Sequence, residues 1–214
     1  DYAGLEDAVF DVAITPNRQD CMGVRGIARD LAAAGLGTLK PLDVPAIEGS
    51  FDNPVEIRIE DAEGCPAFFG RVVRGVTNGT SPEWMQRRLT AAGQRPISAL
   101  VDITNYVMLD LGRPSHAYDL ATLKGAVVAR KAQAGETIVA LNEKEYALSS
   151  DMTVIADDNG THDIGGVMGD RSDHRHLARN CLLHARADRL DRPGAGPDQR
   201  RAKPLRARGG SGVS

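Results

Sequence analysis

Aromatic residues are scarce: four Phe, four Tyr and one Trp make up 4% of 214 residues, and none follows Asp170. Any core must therefore rest on aliphatic side chains, and the 42% hydrophobic content is enough for a globular chain. Cysteine is nearly absent. Cys21, Cys65 and Cys181 are far apart in sequence and form neither a CxxC pair nor an even framework. That argues against a zinc ribbon and a disulfide scaffold, and fits a reducing compartment. No apolar run approaches the roughly 18 residues a membrane helix needs. The chain opens on Asp1 with no basic-then-apolar leader, so no secretory signal is expected and the start reads as internal. No repeat of fixed period is visible.

The net charge of −3 conceals an asymmetry. From Asp170 onward there are 11 Lys and Arg against 5 Asp and Glu; before it there are 15 against 24. Three of the five histidines, His174, His176 and His184, lie in the basic part. A break of this size marks a change of character at about residue 170. A basic disordered tail is the plainest reading.

The elements before that break are mixed. Val9–Ile14 alternates and reads as a strand. Met22–Ala34 has apolar residues at helical spacing, with Gly35 placed to end it. Lys40–Asn53, with its Pro, Gly, Ser and Asp, reads as a linker. Val55–Ile59 and Phe68–Val76 read as strands. Ser81-Pro82-Glu83 reads as a helix start, with Ser81 at the N-cap and Pro82 at the first helical position, and Gly93 ends that helix. Ser98–Leu111 is expected to be mostly helical. Val127–Arg130, Thr137–Leu141 and Met152–Ala156 read as short strands. Strands and helices without regular alternation predict an α+β fold.

Chemistry-bearing groups are few. His162 follows Asp158-Asn159-Gly160 and reads as a surface-loop residue. The adjacent Asp157 and Asp158 read as solvated turn carboxylates. His116 stands in Pro114-Ser115-His116-Ala117-Tyr118-Asp119, shortly after Thr104 and Asn105. A hydroxyl, a carboxamide and an imidazole can orient a water or bind a sugar hydroxyl, but none is an activated nucleophile. On residue type alone His116 is a structural histidine before it is a functional one. Gly165-Gly166-Val167-Met168-Gly169 permits close backbone approach. It is not a phosphate loop, because no Gly-Lys-Ser/Thr follows. No metal site is expected.

Taken together the motifs are more specific. Ile14-Thr15-Pro16-Asn17-Arg18-Gln19-Asp20-Cys21, Gly26-Ile27-Ala28-Arg29-Asp30-Leu31, Ser81-Pro82-Glu83-Trp84, Val101–Met108, Pro114–Asp119 and Gly165–Gly169 resemble, in order and spacing, the β subunit of bacterial phenylalanine–tRNA ligase. The resemblance covers nearly all of residues 8–169. It implies that residues 1–40 end the first β-subunit domain, 41–50 link, and 51–169 form an incomplete B3/B4 tRNA editing domain of α+β class. That domain hydrolyses tyrosine wrongly esterified to tRNA(Phe). Residue by residue, Thr104, Asn105 and His116 match the editing pocket as its catalytic group. Gly165, Gly166, Met168 and Gly169 match its glycine-rich wall. Ser115 departs from the family, which often has an apolar residue there.

The resemblance further implies a cytoplasmic enzyme of two α and two β subunits. Its partners are tRNA(Phe) and the α subunit, with ATP and Mg²⁺ used by the parent and no cofactor held by this chain. The OB-type domain, the later β-subunit domains and the ATP and phenylalanine sites are expected outside this chain. The resemblance stops at Gly169. Read one base later, the codons of Pro204–Ser211 can encode Arg-Phe-Glu-Arg-Gly-Val-Asp, a family heptapeptide. The same shift carried back to Asp173 permits further family sequence, including a pocket glutamate spanning the Arg179 and Asn180 codons. Residues 170–214 are therefore expected to be a frameshifted, disordered basic tail, and the chain alone to be inactive. Two other readings stand beside this one: a free-standing tRNA- or RNA-binding module with a genuine basic tail, and a nonfunctional pseudogene product.

Overall fold

The computed structural model describes residues 8–140, 143–165, 168–169 and 180–187, the last two stretches as backbone. Helix α1 (Val24–Ala33) follows a 3₁₀ turn at Gln19–Cys21. Strands β1 (Ile57–Ile59) and β2 (Ala67–Arg74) precede α2 (Glu83–Ala91) and α3 (Ala99–Leu111). Then come β3 (Ser115–Asp119), β4 (Val127–Lys131), β5 (Thr137–Val139), β6 (Glu145–Ala147), β7 (Thr153–Asp157), β8 (Gly160–Ile164), β9 (Met168–Gly169) and β10 (Asn180–Ala187). No described helix is long and apolar enough to cross a membrane.

The strands form a five-stranded sheet in the order β1-β4-β7-β8-β9, a three-stranded sheet β2-β10-β3, and a β5-β6 hairpin. Among the described strand pairs only β1–β4 is parallel. The main core lies where the two larger sheets face each other. Phe68, Val72 and Tyr118 from the three-stranded sheet meet Val127, Ala129 and Ile155 from the five-stranded one, with Val55 and Cys65. A satellite of Ala132, Ile138, Leu148 and Val154 seats the hairpin. The fold is α+β, as the mixed elements predict.

The helix ends follow the local chemistry. Gly35, at φ +78°, closes α1: its N–H bonds the Ala32 carbonyl while the Leu36 N–H reaches Leu31. Gly93 and Gln94 repeat this pairing on Thr90 and Leu89 at the end of α2. Such a paired ending requires a left-handed residue, which glycine adopts without a Cβ clash. At the start of α2 the structure differs from the sequence reading. Pro82 is the N-cap, and Ser81 is buried with its hydroxyl donating to the buried Asp102. Asp102 also accepts the Ile97 N–H at 2.8 Å, so Ser81 ties two helices together instead of capping one.

Two further expectations change. Val9–Ile14 alternates but forms no strand, and Phe10 is 81% exposed. A strand needs a neighbour for its backbone groups, and this segment has none among the described residues. Conversely, residues 180–187, expected within a disordered tail, form β10. Their backbone fills the gap between β2 and β3, pairing Cys181 with Val73 and Asp119, and His184 with Gly70 and His116. A β-ladder joins backbone groups, so it does not require the aromatic residues the tail lacks. The rest of the tail, 170–179 and 188–214, lies outside the described residues.

Candidate functional site

The site is built where the two large sheets face each other. Side chains two apart on a strand share a face, so β3 presents His116 and Tyr118 together. Opposite them β8 supplies Asp163, which is 1% exposed. The Tyr118 hydroxyl donates to Asp163 Oδ2. His116 Nδ1 lies 3.5 Å from Asp163 Oδ1, and the His116 side chain is 19% exposed.

The glycine run joins the same region through the β8–β9 hairpin. In its register Asp163 is the partner of Gly169, and Ile164 of Met168. Gly165 donates its N–H to the Thr153 carbonyl at 2.8 Å. Gly165, Met168 and Gly169 are thus brought beside the strand position that contacts His116 and Tyr118. Gly166 lies outside the described residues.

Thr104 and Asn105 arrive from another direction. They sit on α3, which packs against β3. Thr104 is buried, and its hydroxyl donates to the Val101 carbonyl at 2.8 Å. That bond uses the hydroxyl proton and leaves oxygen lone pairs for accepting. Asn105 is half-buried.

Two groups read as surface features are structural. His162 is on β8, with its side chain 13% exposed and Nε2 3.0 Å from Asp157 Oδ1. Its ring lies 5.2 Å from that of Tyr118. Asp157 accepts the Lys124 and Asn159 N–H groups at 2.7 Å each, so it organises the turn before β8. Asp163 does not stand out in the sequence, and Tyr118 enters only as part of the Pro114–Asp119 motif. The available signal is the lone carboxylate between a predicted turn and the glycine run.

Charged clamps hold the five-stranded sheet. Thr153, the Gly64 N–H and Lys131 donate to Asp61 at 2.6, 3.0 and 3.1 Å. They hold its carboxyl at about 2, Thr153 contributing most. Arg130 holds Glu136 similarly at about 2, with help from the Gln133 N–H and Thr161.

One group of metal-type donors lies close together among the described residues: Asp20, Cys21 and Asp30. It does not suit Mg²⁺, which is bound by oxygen ligands. Arg18 donates to Asp20 at 3.0 Å and to Asp30 at 2.5 Å, and Arg29 also donates to Asp20. Burial, then the Asp30 hydrogen bond, pushes the Cys21 thiol up, away from the thiolate a metal takes. A separate, mostly apolar cavity of about 370 Å³ runs along α1, lined by Val24, Ala28, Leu31, Leu39, Leu42 and Leu111 among others.

The B3/4 domain family model matches residues 64–186, ending inside β10. The phenylalanine–tRNA ligase β subunit of Novosphingobium aromaticivorans is 71% identical over 169 residues, covering 79% of this chain and 21% of that protein. The corresponding subunit of Zymomonas mobilis is 63% identical over the same length, with the same coverage. The chain thus spans about a fifth of the length of these curated relatives. A solved N-terminal fragment of the phenylalanyl-tRNA synthetase β subunit from Pyrococcus horikoshii matches 79% of this chain and 52% of its own. Its TM-score is 0.48 and its identity 14%.

Proposed function

The chain belongs to the B3/4 domain family, and from that premise we propose that it is the editing region of a phenylalanine–tRNA ligase β subunit, acting on tyrosine esterified to tRNA(Phe). The observation that carries this reading is the meeting of two sequence-distant motifs. The His116 strand and the Gly165–Gly169 hairpin share Asp163 as a common neighbour.

Phenylalanine and tyrosine differ by one hydroxyl, and an apolar synthetic pocket rejects an added hydroxyl only weakly. A second, hydrolytic pocket that hydrogen-bonds the phenol discriminates the other way, because phenylalanine would leave its buried polar groups unpaired. The reaction is ester hydrolysis. Water attacks the tyrosyl carbonyl carbon, the bond to the ribose oxygen breaks, and that oxygen leaves as a hydroxyl. An aminoacyl ester is already reactive, so orientation supplies much of the rate. In this reading His116 positions the water or the terminal ribose, Thr104 and Asn105 add hydrogen bonds, and the backbone at Gly165, Gly166, Met168 and Gly169 lines the substrate.

ATP and Mg²⁺ belong to charging by the parent enzyme, whose partners are the α subunit and tRNA(Phe). The segment from Asp170 is the product of a shifted frame, and the pocket glutamate is absent with it. The isolated chain is accordingly a poor editor.

The test is deacylation of pre-charged Tyr-tRNA(Phe) by this chain, and by the assembled synthetase with and without His116→Ala. The chain alone is expected to hydrolyse little. In the assembled enzyme His116→Ala should slow hydrolysis while phenylalanine charging is kept. Unchanged hydrolysis removes His116 from the reaction; equal loss of charging makes it a fold residue.

A further inference from the structure

We propose that Asp163 is a positioning residue that sets the tautomer of His116, with Tyr118 fixing the carboxylate. The inference rests on the editing reading for its consequence, but not for its geometry. Asp163 is 1% exposed and reaches two neighbours on β3, with Oδ2 accepting from Tyr118 and Oδ1 lying 3.5 Å from His116 Nδ1. Oδ2 thus holds the Tyr118 hydrogen bond, while Oδ1 faces His116 Nδ1 at the outer limit of hydrogen-bond reach.

An ionised carboxylate beside Nδ1 accepts a hydrogen bond but cannot donate one, so the neutral imidazole keeps its proton on Nδ1. Nε2, on the opposite edge of the ring, then carries the lone pair. That is the form able to accept a hydrogen bond from a water or a ribose hydroxyl. The reverse tautomer can only donate there.

Tyr118 makes the arrangement testable with an isosteric change. In Asp163→Asn the carboxamide oxygen is the only acceptor left on residue 163, and with Tyr118 fixing that group its hydroxyl goes on donating to it. The amide NH₂ must then face His116 Nδ1, which accepts, and the proton moves to Nε2. Removing the hydroxyl as well, in Asp163→Asn with Tyr118→Phe, lets the amide turn its oxygen back to Nδ1.

The experiment is long-range ¹H–¹⁵N NMR of histidine side chains in the 214-residue chain, at a pH where the imidazoles are neutral, with His116→Gln assigning the signal. The Nδ1–H tautomer is expected in the unmodified chain, Nε2–H in Asp163→Asn, and Nδ1–H again in the double variant. The other histidine signals serve as the fold control. If Asp163→Asn does not fold, the unmodified chain and Tyr118→Phe, which keeps the carboxylate and should keep the Nδ1–H form, still decide the matter. An Nε2–H tautomer in the unmodified chain, or no change in a folded Asp163→Asn, overturns the proposal.

In the assembled synthetase Asp163→Asn should lower the kcat of Tyr-tRNA hydrolysis by about tenfold with KM unchanged, below the roughly hundredfold at which general acid–base contributions begin, because His116 positions and does not transfer a proton. A flipped tautomer with unchanged hydrolysis leaves the positioning role standing and refutes the editing role of His116.

Discussion

Replacing Glu136 by Gln should destabilise the chain most at neutral pH and almost not at all in acid. Glu136 begins the hairpin and ties three strands. Arg130 on β4 donates to both its oxygens at 2.9 and 2.7 Å, the Gln133 N–H donates at 2.8 Å, and Thr161 on β8 adds a fourth bond. The two charged side chains are only 16% and 15% exposed, so solvent screens them weakly. These bonds hold the Glu136 carboxyl at about 2 instead of 4.5, the Arg130 contact contributing most.

The folded-state value is the lower one, so the stabilisation is fully present above the unfolded value and is lost as pH falls through the folded one. The linkage amounts to about 3 kcal/mol at pH 7, about half of that near pH 3.3, and about 0.4 kcal/mol at pH 2. Gln cannot ionise, and it leaves Arg130 with half its partner. Urea unfolding of the unmodified chain and Glu136→Gln, at pH 7, about 3.3 and 2, reads the difference directly. A difference that stays constant across that range refutes the reasoning, because it would come from packing and not from charge.

Gly26→Ala should detach α1: a Cβ there would stand 2.0 Å from the Asp20 carbonyl oxygen and 2.9 Å from the Cys21 Cα, both backbone. Amide exchange across 24–33 should accelerate while the two large sheets keep their protection; unchanged exchange at α1 would show that the turn can yield. The gene should carry one base gained or lost near the Asp170 codon, followed by an uninterrupted family reading. Nucleotide sequence without that continuation removes the frame argument.

The helices were legible because their signals are local. Gly35 and Gly93 sit where a left-handed residue must end each helix, and both do so. Strands are decided by partners that a short window does not contain. Val9–Ile14 has the alternation and no neighbour; β10 has neighbours waiting on both sides, and composition pointed away from it. The β3 strand was hidden because His116 and Tyr118 follow directly on a helix end and a Gly-Arg-Pro turn. In the candidate site, His116 was singled out by its motif, while residue type alone favoured a structural histidine. Asp163 was not, since its contacts are made 45 residues away through the meeting of two sheets.

The position of β10 sets the order in which this chain can mature. A strand from residues 180–187 enters between partners that left the ribosome about 60 and 110 residues earlier. Until it arrives, β2 and β3 each hold an open edge, a template for pairing with another chain. Closing such distant contacts is slow, and the waiting intermediate exposes apolar surface. Nascent chains stopped before residue 180 should therefore depend on chaperones, and those carrying 180–187 should escape them.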